Sequence, residues 1–521
     1  MSTIFTACMF MGLVAEVGIT TTAAAAGNDA VAFQINVAHS GVQADDALKP
    51  PFNRRWQITL PGSVSYPIIT EDSVFVTADD GTGKPAIWAL DIATGDTRWK
   101  KTLPYPQSFS YPWANAAFDN GRIFAIGTAG VMTALDAGTG EQIWSVQLPG
   151  QYLFSSPPTA AGGTVYTGGA GSGGTLYAVD EVTGSVVATQ SVANGDNSSP
   201  ALSNSMVFVS YACNQDYGFG LESLNFVWHF QTYCGGGGGR TPVYVNNRVL
   251  TRDDAVTGSL ILDAATGTQL GSISPPDSFA SVAIPAAQEN TIWYLMDGTL
   301  FCADMTTPNA LQQLWSFTGD GQLVTAPVVI LAGASRYLIE GSSSGSLYAL
   351  DAQTGSVVWS DNAGPAFNSP DEHNISAPLT GLAAGHGALI APAGNTLTAY
   401  IGAASQTITL TAPSNIGLDK SPAAVTATAS SGLLVTLTSA APSVCAVSGS
   451  GPSFSVTLFA VGICTLNASA GGPGTGYAMA TASASIEITA QPMRAIALDG
   501  WVLLWLGGSL MLMGCAWLRR M

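Results

Sequence analysis

The chain has 521 residues, enough for two or three domains that each bury a core. Only 10% of them are charged and 59 are glycine, a composition of many short strands joined by tight turns that excludes long salt-bridged helices. The 16 basic and 34 acidic side chains give a net charge of −18, and no basic run exceeds a pair, which excludes nucleic acid as a partner.

Residues 4–19 are mostly apolar, and Ala23–Ala26 before Gly27 are the small residues a signal peptidase accepts. A cleaved signal peptide is therefore expected over 1–26, although no Lys or Arg occurs in the first fifteen residues, with 27–49 as a linker. The seven cysteines suit an oxidising compartment. The absence of any C-x-x-C excludes zinc ribbons, thioredoxin-type motifs and c-type haem attachment.

From residue 50 to 402 the chain repeats itself. LDIATGDTRW (90–99), LDAGTGEQIW (135–144), VDEVTGSVVA (179–188), LDAATGTQLG (262–271) and LDAQTGSVVW (350–359) share one pattern, and LESLNFVW (221–228) and ADMTTPNALQQLW (303–315) are weaker copies. The leading acids, from Asp91 to Asp351, stand 41 to 47 residues apart, the size of a four-stranded propeller blade. In each copy the Asp can cap turn amides, and the Gly of Asp-x3-Gly-x3-Trp supplies the positive φ of a tight hairpin. The Trp suits the wedge between neighbouring blades. Ala188 and Gly271 replace it in two copies, where looser contacts are expected. An eighth unit, 388–401, lacks its outer strand, while Arg55–Leu60 carries a Trp with no hairpin before it. Ring closure by that N-terminal strand is the economical solution, since it leaves no free edge.

These repeats resemble the PQQ-type (pyrroloquinoline-quinone) repeat of quinoprotein dehydrogenases and of the outer-membrane assembly lipoprotein, and the resemblance covers about two thirds of the chain. It implies an all-β fold, an eight-bladed β-propeller over 50–402. For a dehydrogenase of this kind it also implies an Asp base, a calcium held by carboxylate and amide oxygens, and commonly a vicinal disulfide. The chain has no vicinal cysteines and no EF-type loop. Asp371-Glu372-His373-Asn374 is the one local cluster of ligand types, either a solvated rim loop or a metal or ligand site. No cofactor is expected, with PQQ and calcium as the open alternative, and no catalytic or metal residue is assigned.

Residues 405–490 read as seven short strands, from Gln406–Thr411 to Ala482–Thr489, suited to a small β-sandwich. The segments around Cys445 and Cys464 resemble a bacterial Ig-like repeat, which implies a disulfide between the two. Trp501–Leu518 carries no charge over 18 residues and precedes Arg519 and Arg520. One C-terminal transmembrane helix is therefore expected within 498–521, with the preceding chain exported to the periplasm or surface of a Gram-negative bacterium. A buried terminal helix and a cleaved sorting tail are the alternatives.

The expected function is a non-catalytic envelope scaffold that meets an envelope protein or polysaccharide through rim loops. The alternatives are a PQQ-dependent oxidoreductase and an outer-membrane assembly factor. Blade four departs most from the repeat, with aromatics gathered beside Cys213 and Cys234, an expected disulfide pair. Rigid exposed aromatics anchor partners, so Tyr211, Tyr217, Phe219, Tyr233 and Arg240 are the candidate contact residues, with drift of a tolerant loop as the alternative.

Overall fold

A computed structural model describes residues 28–490 except 107–110, 233–237, 253–257, 274–282, 371, 373–376 and 473–474. The chain divides into two units, up to Ala403 and from Ala404 onward.

The repeat motif does locally what its chemistry requires. At Asp136 the carboxylate accepts hydrogen bonds from the Thr139 amide at 2.9 Å and its hydroxyl at 2.8 Å, which hold the Asp136 carboxyl below its usual range. Gly140 then turns the chain at φ +71° and donates its N–H to the Asp136 carbonyl. Asp180, Asp263 and Asp351 receive the same bonds from Thr183, Thr266 and Thr354.

Among the described residues these hairpins build eight sheets in the first unit. The first sheet runs Ile68–Ile69, Ser73–Asp79, Pro85–Asp91, Thr97–Thr102, and the next six begin at Ala114, Thr159, Ala201, Val243, Ala286 and Val328. The eighth joins Ala383–Gly385, Ala388–Ala393 and Thr396–Gly402 to Phe52–Thr59, which pairs antiparallel with Thr396–Gly402. The first strands of most successive sheets are in contact, and that of the eighth meets that of the first. This is the architecture of a β-propeller.

The seams between sheets explain the Trp and the Gly together. Trp99 of the first sheet lies flat on Gly140 of the second, so close that a Cβ there would stand 2.6 Å from its ring. Its indole N–H donates to the Ala137 carbonyl of the same turn at 3.0 Å. Trp56, Trp144, Trp228 and Trp315 meet Gly95, Gly184, Gly267 and Gly355 in the same way. Trp56 belongs to the eighth sheet and Gly95 to the first, so the closing seam is built like the others. Trp359 packs edge-on to Phe52 and Tyr400 instead.

The looser seams expected at Ala188 and Gly271 are not found. Opposite Ala188 the neighbouring turn puts Leu224 where the others have Gly, fully buried in the same apolar cluster as Ala188. Opposite Gly271 the neighbouring backbone closes in, and a Cβ would fall 1.8 Å from the Pro308 carbonyl oxygen. Each missing Trp is replaced from the other side of the seam.

Residues 28–49, expected as a linker, are instead packed into the unit. Val31, Val37, Ala38, Ser40 and Gly41 offer carbonyls to the amides of Phe118, Leu202, Tyr244, Ala287 and Val329, at 2.7 to 2.9 Å. Ala30 bridges Ile69, Val42–Ala44 pairs parallel with Val329–Leu331, and the Gln43 amide donates to the Ala384 carbonyl. Phe33, Ile35 and His39 are buried, and burial pushes the His39 imidazole pKa down.

The second unit holds two four-stranded sheets among its described residues. One contains Ala423–Ala429 and Cys445–Ser450, the other Gly462–Ala470 and Ala480–Thr489. The sequence reading missed a short strand, Asn415–Gly417. Val425, Phe454, Leu466 and Ile486 fill the core, and the Cys445–Cys464 disulfide joins the sheets with Cα atoms 5.8 Å apart.

The expectation of anchoring by a transmembrane helix is corrected. Among the described residues no helix is long and apolar enough to cross a membrane. The segment 498–521 on which the expectation rested, like the signal peptide over 1–26, lies outside the described residues.

Candidate functional site

The axis is the natural place for a ligand in a propeller, and here side chains and backbone cross it. Small residues start the first strands because neighbouring strands crowd there, and their hydroxyls step from sheet to sheet. The Asn197 amide donates to Ser155 at 3.1 Å, Ser156 donates to the Ser198 carbonyl at 2.7 Å, and Ser198 donates to the Arg240 carbonyl at 3.3 Å.

Glu372, from the segment before the eighth sheet, reaches across to the fifth. One carboxylate oxygen accepts the Thr241 amide at 2.7 Å and the other is ion-paired with Arg252, whose guanidinium also donates to the Thr241 carbonyl at 3.1 Å. Both side chains are buried. The space beside them, lined by Trp113, Asn115, Asn197 and Leu379, measures about 10 Å³, room for one water molecule. A second buried carboxyl, Glu340, accepts the Thr325 hydroxyl at 2.8 Å, and burial pushes its pKa well up.

The described residues around Glu372 do not fit a calcium ion with a quinone beside it. Calcium takes six to eight oxygens, yet both oxygens of the axial carboxylate are engaged by Arg252 and Thr241. Among the described residues no group of three or more His, Cys, Asp or Glu could hold a metal ion. Cofactor sites are clefts of roughly 300 Å³ or more, far beyond the space next to Glu372. Asp371, His373 and Asn374 lie outside the described residues.

The blade-four aromatics are brought together, but inward. Met206–Tyr211 and Gln215–Gly220 form a regular hairpin rather than a broken one. Tyr211 is 0%, Phe219 1% and Tyr217 7% exposed, so they pack the sheet instead of presenting a contact surface. Tyr217 stacks on His229 with ring centroids 4.0 Å apart, and its hydroxyl accepts the Ala193 amide. Burial raises the Tyr211 phenol well above its usual pKa. Arg240 is tied through its backbone to Ser198 and Ser210. Cys213 is disulfide-bonded, while Tyr233 and Cys234, its expected partner, lie outside the described residues.

Sequence reasoning missed the Glu372–Arg252 pair, since nothing local links residues 120 positions apart. It also missed the packing of 28–45, where the nearly continuous apolar run Ala30-Val31-Ala32-Phe33-Gln34-Ile35 was the available signal.

The fold and its repeats define a PQQ-type β-propeller. The profile of the PQQ_2 family, described as "Outer membrane protein assembly factor BamB", matches residues 53–152, 87–184, 128–234 and 225–449, and the chain belongs to that family. A polyvinylalcohol dehydrogenase of Sphingopyxis sp. (strain 113P3) is 36% identical over 106 residues, 16% of this chain and 16% of that protein. The dehydrogenase subunit of an alcohol dehydrogenase (quinone) from Gluconacetobacter polyoxogenes is 25% identical over 337 residues, 59% of this chain and 41% of that one. The chain thus spans less than half the length of either relative. The quinohemoprotein alcohol dehydrogenase of Comamonas testosteroni superposes with a TM-score of 0.55 at 14% identity, over 73% of this chain and 81% of that one, a likeness of fold alone.

Proposed function

We propose that this chain is a non-catalytic binding scaffold: an eight-bladed propeller, followed by an Ig-like sandwich, that meets an envelope protein or a polysaccharide through its loops. The observation that carries the reading is the axis itself, where Glu372 is paired with Arg252 and the space beside it is about 10 Å³. A buried carboxylate already neutralised by a guanidinium is a poor cation ligand. An exported location fits the family and the Cys445–Cys464 disulfide.

The second reading, a quinone-dependent oxidoreductase, is favoured by the two dehydrogenase relatives. The third, an assembly factor, is favoured by the description of the matching family. Incubating the purified full chain with PQQ and calcium, followed by desalting, separates the second from the others. No retained quinone absorbance is expected. Stoichiometric retention would overturn the scaffold reading.

A further inference from the structure

We propose that a groove on the face crossed by residues 28–45 binds a small organic cation with an apolar body. That segment's carbonyls accept amides of the first, second, fourth, fifth, sixth and seventh sheets, but among the described residues no backbone hydrogen bond joins it to Thr159–Ala161 of the third. The reason is a tight turn in which Val31 N–H donates to the Ile35 carbonyl and the chain dips inward. Ile35 sits there at φ +76°, a left-handed conformation costly for a β-branched residue. The segment therefore steps over the third sheet and leaves a cavity of about 660 Å³ above Ala160–Gly162.

The walls and the rim of this cavity differ in chemistry. Val37, Leu202, Phe118, Tyr166 and Tyr244 present apolar and aromatic surface. Asp119 and Glu222 stand on the rim. Glu181 lies just behind, accepting a hydrogen bond from the rim residue Asn120 at 3.2 Å. Arg122, close enough to act electrostatically on Glu181 and Asp180, is the opposing charge. Even with the buried Glu181 left uncounted, Asp119, Asp180 and Glu222 against Arg122 leave the local balance negative, as is the whole chain at −18. Carboxylates over aromatic walls favour a cation, through complementary charge and through the faces of the rings. The volume suits a small molecule rather than a protein segment. This inference does not rest on the Glu372–Arg252 pair, and its failure would leave the quinone test untouched.

The test uses the full chain and two probes of one shape, 2-phenylethylammonium and the neutral 2-phenylethanol, titrated by calorimetry. The ammonium should saturate with a dissociation constant about tenfold below that of the alcohol. Glu222→Gln should reduce that preference several-fold without moving the melting temperature. Ala161→Leu, which fills the floor, should weaken both probes at least about tenfold. Because Asp119 also anchors the Asn120 turn, it is left intact. Equal binding of the two probes, no saturation up to roughly 10 mM, or binding indifferent to Ala161→Leu would overturn the proposal.

Discussion

At the scale of single residues, the buried acids separate structure from chemistry. Glu372 and Arg252 are 0% and 3% exposed, so neutralising one leaves a desolvated charge behind. Glu372→Gln should cost about 3 kcal/mol in chemical denaturation, and the double change Glu372→Met with Arg252→Met should recover most of it. A single change without effect on stability would show that the pair is solvated, reopening the axis to a ligand. Glu181 behaves differently. Burial, reinforced by the neighbouring Asp119, pushes its pKa from the ordinary 4.5 to about 7. The folded state then holds a proton that the unfolded state releases, so its stabilising effect is complete below about 4.5 and lost as the pH rises through about 7. Glu181→Gln should therefore flatten the fall of stability over that window, by roughly 1–2 kcal/mol at its upper end. Parallel pH profiles of melting temperature for the two proteins would count against the burial argument.

At the scale of elements, the unit of stability is the seam rather than the sheet. Gly140 is required twice, by its φ of +71° and by the Trp99 ring lying 2.6 Å from any added Cβ. Gly140→Ala should cost about 2–3 kcal/mol, of which about 1 kcal/mol is backbone strain. In a Trp99→Ala background only the strain should remain, so a double-mutant cycle should show coupling of about 1–2 kcal/mol. Additive costs would mean that the ring is not what forbids a side chain there. The pattern also explains the imperfect repeats. A sheet lacking its Trp faces a turn enlarged by Leu224 or drawn in at Pro308, so the substitutions at Ala188 and Gly271 are compensated pairwise across the seam. A single repeat viewed alone looks degraded, whereas two neighbours viewed together are complementary.

At the scale of the whole molecule, two N-terminal segments close the propeller in different ways. Phe52–Thr59 supplies the outer strand of the eighth sheet and the Trp56 of the closing seam. Residues 28–45 bond across the ends of most first strands on one face. Deleting 50–62 should expose the edge of Thr396–Gly402 and produce aggregation or a large drop in melting temperature, read by light scattering and calorimetry. A truncated chain that stays monomeric and equally stable would show that the seam between the eighth and first sheets closes without it.

The repeats were legible in the sequence because Asp-x3-Gly-x3-Trp is local chemistry: the cap, the left-handed turn and the flat ring all act within a dozen residues. The propeller and the partner of the orphan strand Arg55–Leu60 follow from counting those repeats, whereas the family and the Cys445–Cys464 disulfide were what resemblances implied. Whether an aromatic faces solvent or core is not local. Tyr211, Tyr217 and Phe219 sit in a segment whose composition looked like a binding loop, yet regular pairing between Met206–Tyr211 and Gln215–Gly220 turns them inward. The same holds for residues 28–45, which carry no repeat and are ordered by bonds to sheets from 39 to more than 300 residues further along the chain. The Glu372–Arg252 pair and the groove over the third sheet likewise exist only once the sheets stand around one axis. Tertiary structure alone decided these, because burial and charge pairing depend on which distant surfaces meet, and no short-range pattern encodes that meeting.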